Sequence, residues 1–317
     1  MLDVRRLRFL VELSRRGTIA AVSEALHMSP SGISHQLSLL ERESGAPLLE
    51  RVGRGVRLTE AGRQLAERGA DILAALELAE TEVRRGEESS TGTCRVAAFG
   101  SAARVLVPTL LECQRQHPGL RIELVESEPE VALPALLSGD FDVIVSEEYP
   151  GTPPTLARHV QREVLATDPL HVVVAADLLG GRDLWESGGS IPWAFEPVGA
   201  SSRTWAVQHC LGRGFTPSVQ YESLDLDLLL LLVRQGAAAS VLPQLALPTK
   251  TETPDLVRRD TGAARTLVLL VRRARRSDPS VRAVRSALHT YFDVPLPASG
   301  SSADGSSSAT GAVRVGP

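Results

Sequence analysis

Small polar side chains recur along one segment, SPSGISHQLSLLE, which runs from Ser29 to Glu41. On a helical wheel at about 100° per residue, Ile33, Leu37 and Leu40 fall within a narrow arc. The opposite arc is polar and holds Ser31, Ser34, His35, Ser38 and Arg42. Short hydroxyls with one imidazole and one guanidinium suit hydrogen bonding to base edges and phosphates in a DNA major groove. The alternative is a face that only water solvates, and the wheel alone does not separate the two.

The elements around this segment favour the DNA-docking interpretation. Ser29 is a good N-cap, and Pro30 falls at the first helical position, where its missing N–H costs nothing. Two shorter helices precede it, the second of them capped by Thr18. Downstream, GAPLLERVGRGVRLT (45–59) predicts a small hairpin with a basic tip. Its arginines are Arg51, Arg54 and Arg57. These elements together predict a winged helix-turn-helix.

The charge distribution agrees with a nucleic-acid module joined to a different body. Residues 1–63 hold ten arginines and seven Asp or Glu, a net charge of +3. The whole chain of 317 residues has a net charge of −4, so the remainder is −7. A cationic head on an acidic body is compatible with DNA binding by the head, although +3 alone proves little.

A long helix is predicted from Thr59 to about Arg85. Along it, apolar or small residues follow the 4-3 spacing of a coiled-coil seam. They are Leu65, Gly69, Ile72, Leu76, Ala79 and Val83. Because the other faces are charged, the simplest way to bury this stripe is dimerisation. GEESSTGT (86–93) then has the composition of a linker.

Beyond the linker, predicted strands and helices alternate. CRVAAFG, LRIELVE and FDVIVS are the first strands, with helices at 103–116 and 129–138 between them. LHVVVAA, IPWAFEP, SVQYE, ASVLP and TLVLLVRR continue the pattern, with helices at 202–211, 224–234 and 279–292. Such alternation favours parallel sheets with crossover helices. Residues 296–317 are rich in Ser, Gly and Ala and are expected to be disordered.

The segment LRFLVELSRRGTIAAVSEALHMSPSGISHQLSLLERESGAPLLERVGRGVRLTEAG resembles the DNA-binding domain of the LysR-type transcriptional regulators. CQRQHPGLRIELVE, LLSGDFDVIVS and LLLLLVRQGAAASVLP resemble the effector-binding domain of the same family. The resemblance implies a multidomain α/β chain: a winged helix-turn-helix (1–58), a linker and dimerisation helix (59–86), a hinge (87–93) and a two-lobed domain like the periplasmic binding proteins (94–295). Lobe I would comprise about 94–165 and 268–295, and lobe II about 166–267.

The resemblance also implies roles for individual residues and partners. The DNA contacts would be Thr18, Ser29, Pro30, Ser31, Ser34, His35 and Ser38, with Arg51 and Arg54 of the wing on phosphates or in the minor groove. The dimer seam would be Leu65, Ile72, Leu76, Ala79 and Val83. The implied partners are double-stranded promoter DNA with an interrupted inverted repeat, a small-molecule effector and further copies of the chain, commonly as a tetramer, with RNA polymerase as a candidate.

The effector is expected between the two lobes, where helix N-termini present N–H groups that suit an anion. The positions implied are Gly100, Ser101, Ala102, Ser127, Ser146, Glu147, Ala200, Ser201, Ser202 and Ser223. Any one of these serines is more readily interpreted as a helix cap than as a ligand contact, whereas several together favour a binding site. Glu147 and Glu148 are a departure, because two carboxylates at this mouth disfavour a carboxylate effector and suit an amine or an empty site.

Other classes of protein find little support in the sequence. The chain has no GxSxG, P-loop or HExxH motif, so it is not expected to be an enzyme or to need a cofactor or metal. Neither a membrane span nor a signal peptide is indicated, which predicts a cytoplasmic protein without a membrane partner. Cys94, Cys113 and Cys210 are far apart and are interpreted as buried apolar residues. The remaining alternative is a small-molecule-binding protein with a vestigial DNA-binding domain.

Overall fold

The computed structural model describes residues 1–53, 55–84, 91–152, 158–248 and 255–293. Its N-terminal unit contains three helices, a two-stranded hairpin and a long fourth helix. These are α1 (Val4–Arg16), α2 (Ile19–Ala25), α3 (Pro30–Ser44), β1 (Leu49–Val52), β2 (Gly55–Leu58) and α4 (Glu60–Arg84). Arg54, residues 85–90 of the expected linker and the tail at 296–317 lie outside the described residues.

The predicted helix starts of the N-terminal unit are confirmed by their caps. The side chains of Asp3, Thr18 and Ser29 accept hydrogen bonds from the backbone N–H groups two or three residues ahead. A β-carbon added to Gly32 would lie 3.1 Å from Ser29 Oγ. A side chain at Gly32 would therefore crowd the cap of its own helix.

The hairpin is held at a fixed angle to α3 by one carboxylate. Glu41 Oε1 accepts hydrogen bonds from the backbone N–H groups of Leu48 and Leu49, at 2.8 and 3.0 Å. Leu48 is buried in the core that also contains Leu10 and Ile33. The hairpin and α3 are therefore held together as one unit.

Gly62, in the first turn of α4, contacts the backbone of Leu48. A β-carbon built on Gly62 would lie 2.1 Å from the carbonyl oxygen of Leu48. We expect Gly62→Ala to lower the free energy of unfolding by about 1 to 3 kcal/mol through overpacking, although alanine favours a helix. Urea denaturation of the full chain measures it.

Gly69→Ala is the matched control, because its β-carbon would meet the Val11 side chain at 3.1 Å instead of a backbone atom. A side chain can rotate away, so the loss should be smaller. Equal losses for the two variants would contradict the proposed backbone clash.

The C-terminal domain is built on one six-stranded sheet in the order β4-β3-β5-β10-β6-β9. A separate pair, β7-β8, is parallel. The strands are β3 (Gly92–Ala98), β4 (Leu120–Glu126), β5 (Val143–Glu148), β6 (Val160–Ala175), β7 (Pro192–Phe195), β8 (Ser218–Glu222), β9 (Ser240–Pro243) and β10 (Leu256–Arg272). The alternation of strands and helices favoured parallel sheets, and β3 does pair parallel with β4 and β5. However, β10 pairs antiparallel with β5 and β6, and β6 pairs antiparallel with β9.

This difference arises because β6 and β10 are about twice as long as their apolar segments predicted. Each runs through both halves of the domain, and they pair with each other along most of their length. Their register shifts at Leu267 and Val268, which pair with Ala166 and Val164. We call the half with β3, β4 and β5 lobe I and the half with β7, β8 and β9 lobe II. Separate apolar clusters lie in the two lobes.

The helices of the domain cover both lobes. They are α5 (Gly100–Gln116), α6 (Pro129–Ser138) and α11 (Pro279–Tyr291) in lobe I, and α7 (Ala176–Leu179), α8 (Leu184–Ser187), α9 (Ser201–Gly212) and α10 (Leu226–Arg234) in lobe II. The leucine-rich helix α10 was predicted to begin at Leu224. It begins at Leu226 because the Asp225 side chain caps it by accepting from the N–H of Asp227.

Ion pairs join the N-terminal unit to lobe I. Arg16 of α1 pairs with Asp140 at 2.7 Å, and His159 lies 3.0 Å from Asp71 of α4. Arg272, the last residue of β10, pairs with Glu77 of α4 at 3.0 Å. A groove of about 560 Å³ lies between α1, α4 and lobe I. The ion pair between Arg272 and Glu77 therefore connects the end of β10 directly to α4.

Two further sequence predictions can be compared with the structure. The three cysteines are free and buried, as predicted, and burial raises the pKa of each thiol. None of the helices in the described ranges is long and apolar enough to cross a membrane.

Candidate DNA-binding face and interlobe cleft

The polar face of α3 is open to solvent. Ser31, His35 and Ser38 are exposed, and Ser34 is partly exposed between them. On this face, Ser29 Oγ and Ser31 Oγ are hydrogen-bonded at 3.2 Å. The buried side of the helix presents Ile33, Leu37 and Leu40 to the core, as predicted.

The flank of α3 beside this face is anchored to α1. Arg6 Nε donates to Gln36 Oε1 at 3.1 Å, and the Arg6 guanidinium pairs with Glu43. Arg42 is exposed on the polar face and makes no ion pair with the described residues. The helix is therefore fixed at its back and offers small polar groups and one free guanidinium at its front.

The wing arginines differ in a way that the sequence did not reveal. Arg57 is paired with Glu50 across the hairpin at 2.7 Å. Arg51 is exposed, faces Val56 in the strand register, and has no ion-pair partner in the described part of the chain. Arg51 is therefore available to a phosphate, whereas much of the charge of Arg57 is already compensated.

The predicted effector positions converge only in part. Gly100 and Ser101 at the start of α5 and Glu147 at the end of β5 line a cavity of about 40 Å³ between the lobes. Ser202 lines an adjoining cavity of about 20 Å³, which shares Glu196 with the first. We call these two cavities together the interlobe cleft. Ser201 Oγ crosses the cleft to donate to Glu130 Oε1 at 3.5 Å.

The other predicted effector positions do not line the interlobe cleft. Ala102 is buried in the apolar cluster of lobe I, and Ser146 is buried opposite Val268 in the sheet. Ser223 Oγ accepts from the N–H of Asp225, which makes it a local turn residue. Ser127 and Ala200 lie at the ends of elements beside the cleft, outside its lining.

Arg265 occupies the centre of the interlobe cleft and was not predicted. Its side chain is 2% exposed. The guanidinium donates to Asp168 Oδ2 and Ser101 Oγ, each at 2.9 Å, and pairs with Glu147. Its carbon Cζ lies 4.9 Å from the centre of the Phe99 ring. These carboxylates raise the pKa of Arg265 despite the opposing effect of burial.

Two more carboxylates, also missed by the sequence analysis, face Arg265 from opposite lobes. Glu128 is the N-cap residue of α6 in lobe I, and Glu196 follows β7 in lobe II. Burial, together with nearby carboxylates, raises the pKa of Glu128 to about 7 and that of Glu196 to about 8. Neither side chain has a hydrogen bond or ion pair among the described residues. The local sequence carried no signal for them, since glutamates are usually solvated.

The described residues contain no cluster of three or more His, Cys, Asp or Glu arranged to hold a metal ion. The interlobe cleft is lined by acidic side chains, serine hydroxyls, aromatic rings and the guanidinium groups of Arg104, Arg203 and Arg265.

Family models match both parts of the chain. The model of the bacterial regulatory helix-turn-helix protein, lysR family, matches residues 4–63. The model of the LysR substrate binding domain matches residues 87–293, which is more than half of the chain.

Relatives match across most of their length. An uncharacterized HTH-type transcriptional regulator, YfeR of Shigella flexneri, is 27% identical over 280 residues, covering 87% of this chain and 89% of the relative. The transcriptional dual regulator GltC of Bacillus subtilis is 25% identical over 251 residues, covering 77% of this chain and 81% of GltC.

Solved structures show the same fold. A full-length OxyR variant from Pseudomonas aeruginosa aligns with a TM-score of 0.63 at 19% identity, covering 91% of this chain and 95% of that one. CrgA, a LysR-type transcriptional regulator from Neisseria meningitidis, aligns with a TM-score of 0.54 at 19% identity, covering 92% and 99%. The chain therefore belongs to the LysR family of DNA-binding transcriptional regulators, with an N-terminal helix-turn-helix domain and a C-terminal effector-binding domain.

Proposed function

We propose that the chain recognises an inverted repeat in a promoter by placing α3 in the major groove and the wing beside it. The observation that carries this proposal is the open polar face at Ser31, Ser34, His35 and Ser38, which carries no acidic side chain. Pro30 has no N–H and the N–H of Gly32 is capped by Ser29, so the N–H of Ser31 is left for a phosphate at the start of the helix. Arg51 and Arg42 supply positive charge that has no ion-pair partner among the described residues of their own chain. Arg54 and Thr18 remain predicted contacts.

We further propose that α4 forms the dimer. Leu65 and Gly69 of the predicted seam pack against the N-terminal core of their own chain. The later positions are open: Ile72 is 44% exposed, Leu76 46% and Val83 84%. Ala79 is exposed beside them. An apolar stripe of this kind on a long helix is buried by a second copy, which also places two α3 helices on one DNA.

Leu76→Arg is expected to weaken dimerisation because it puts a charge into the exposed seam. The sedimentation coefficient of the full chain should fall to that of a monomer at concentrations where the wild type is dimeric. Leu78→Arg serves as the matched control, since Leu78 is also exposed (41%) on α4 but outside the 4-3 seam. A Leu76→Arg variant that sediments as the wild type does would rule out this helix face as the interface.

The effector is proposed to bind in the interlobe cleft and to act through β10. Arg265 of this strand lies at the centre of the cleft, and Arg272 of the same strand pairs with Glu77 of α4. Arg272 also donates to the carbonyl oxygens of Leu136 and Phe141, both at 2.8 Å, so its position is fixed. A change in lobe closure would therefore reach the linker helix along a single strand.

A gel-shift assay tests whether the chain is a DNA-binding regulator. The full-length protein should retard the DNA upstream of its own gene at low salt, and retardation should weaken steeply as salt is raised. No retardation at low salt, with or without cell extract, would leave the alternative of a small-molecule-binding protein with a vestigial DNA-binding domain. Binding to a bacterial promoter would also place the protein in the cytoplasm, and contact with RNA polymerase stays a prediction.

A further inference from the structure

The interlobe cleft has an excess of negative charge. One guanidinium, that of Arg265, is surrounded by the carboxylates of Glu147 and Asp168 and is approached by Glu128 and Glu196. The other arginine lining the larger cavity, Arg104, is already paired with Asp227 across the lobes. Glu128 and Glu196 are partly withdrawn from water and have no ion-pair partner in the described ranges, so ionising them is costly and an added positive charge would be favourable.

The helix N-termini that ordinarily attract an anion are already supplied with carboxylates. Glu128 is itself the N-cap residue of α6, and Glu130 accepts from Ser201 at the start of α9. At the start of α5, Glu126 Oε1 lies 3.0 Å from the position of a β-carbon on Gly100. An added anionic ligand would meet the chain's own carboxylates at all three places.

Neutral groups in the cleft also suit a cation or its N–H donors. The Ser202 hydroxyl oxygen is buried and has no hydrogen-bond partner in the described structure, and it lines the smaller cavity with Glu196. Phe195 and Tyr149 line the same cavity. The Phe195 ring already faces the Arg203 guanidinium at 6.0 Å, as Phe99 faces Arg265. Aromatic faces with carboxylates are the combination that recognises organic cations.

We infer that the effector is a small organic cation, an ammonium or guanidinium compound, held between Glu128 of lobe I and Glu196 of lobe II. This inference rests on the proposed function, because it names the ligand class of the same cleft. The cation would add positive charge beside Arg265. The buried Ser202 oxygen would accept a hydrogen bond from one N–H group of the cation. Since the two carboxylates belong to different lobes, one cation would draw the lobes together.

Proton release provides a signature of this binding. Burial keeps the pKa of Glu196 near 8 and that of Glu128 near 7, so both are partly protonated at neutral pH. The charged and titratable groups around them are Glu126, Glu130, Glu147, Tyr149, Arg104, Arg203, Asp225 and Arg265. A bound cation stabilises the ionised carboxylates, lowers their pKa and releases protons.

The same groups set the pH dependence of stability without a ligand. A carboxyl group whose pKa is higher in the folded than in the unfolded chain makes its full contribution to stability at pH values below its ordinary, unfolded-state pKa. That contribution is lost as the pH rises to about 8, the folded value for Glu196. The midpoint of thermal unfolding should therefore fall across this range and should recover when a cation is added.

Isothermal titration of the full-length protein with methylguanidinium, propylammonium and butyrate, at pH 7 and constant ionic strength, tests the inference. At least one cation should bind, with an enthalpy that depends on the ionisation enthalpy of the buffer because protons are released, and butyrate should not bind. Glu196→Gln and Glu128→Gln should each weaken binding at least tenfold. Glu186→Gln, the same change at an exposed position of lobe II outside the cleft, should not.

Tighter binding of butyrate, no binding of either cation, or equal binding by Glu196→Gln and Glu186→Gln would overturn the inference. A gel shift on the same samples separates it from the proposed function. If DNA is retarded but no cation binds, the proposed ligand class is wrong, whereas the proposal that the chain is a DNA-binding regulator is retained. If a cation binds but the upstream DNA is not retarded with or without the cation, the proposed ligand class is retained and the proposal of a DNA-binding regulator is rejected.

Discussion

Replacing Arg265 with methionine is expected to lower the free energy of unfolding by about 3 to 5 kcal/mol, the cost of leaving buried charges without their partner. Asp168 is fully buried and the Glu147 side chain is 8% exposed, so water cannot replace the guanidinium. Ser101 Oγ would lose its hydrogen bond to Arg265 as well. Urea denaturation of the full chain measures the loss.

A compensated variant keeps this prediction testable if the single variant does not fold. Arg265→Met combined with Glu147→Gln and Asp168→Asn removes the charges together, and most of the stability should return. Arg121→Met is the control, because Arg121 is exposed on β4 and should cost less than about 0.5 kcal/mol. If Arg265→Met costs no more than Arg121→Met, the buried ion network does not hold the lobes together.

Ser34→Glu is expected to abolish specific DNA binding and leave the fold intact. Ser34 lies on the solvent side of α3, so a longer side chain meets no core residue. In the proposed complex the new carboxylate faces phosphates, and like charges at an interface cost several kcal/mol, which corresponds to a loss of more than about 100-fold in affinity. Gel shifts at several salt concentrations measure the affinity, and thermal unfolding checks the fold.

Ser14→Glu makes the same change of charge at an exposed position of α1, away from the polar face of α3. It should reduce affinity only slightly, through the lower net charge of the domain. A Ser34→Glu variant that binds as tightly as Ser14→Glu would show that this face of α3 does not contact DNA.

The N-terminal unit could be predicted closely because its signals are local. Ser29, Pro30 and Gly45 determine where α3 begins and ends through contacts within a few residues. The apolar spacing of Ile33, Leu37 and Leu40 likewise determines which face is buried. Such patterns are visible in the sequence because a helix brings together residues three or four positions apart.

The seam of α4 could be predicted only in part. Its 4-3 spacing is a local property, and the helix forms as expected. The spacing does not tell whether its own chain or a second copy covers each position. Gly69 lies against Val11 and Leu7 of α1, whereas Leu76 and Val83 remain exposed.

The chemistry of the interlobe cleft was decided by the tertiary structure alone. Arg265 and Asp168 are 97 positions apart, and they meet because β6 and β10 cross between the lobes in antiparallel register. Glu128 and Glu196 face each other from different lobes, and burial there gives two ordinary glutamates unusual pKa values. The sequence by itself determined a helix that presents small polar groups to solvent. Only the folded chain determined the charge of the cleft, because burial and long-range pairing have no local pattern.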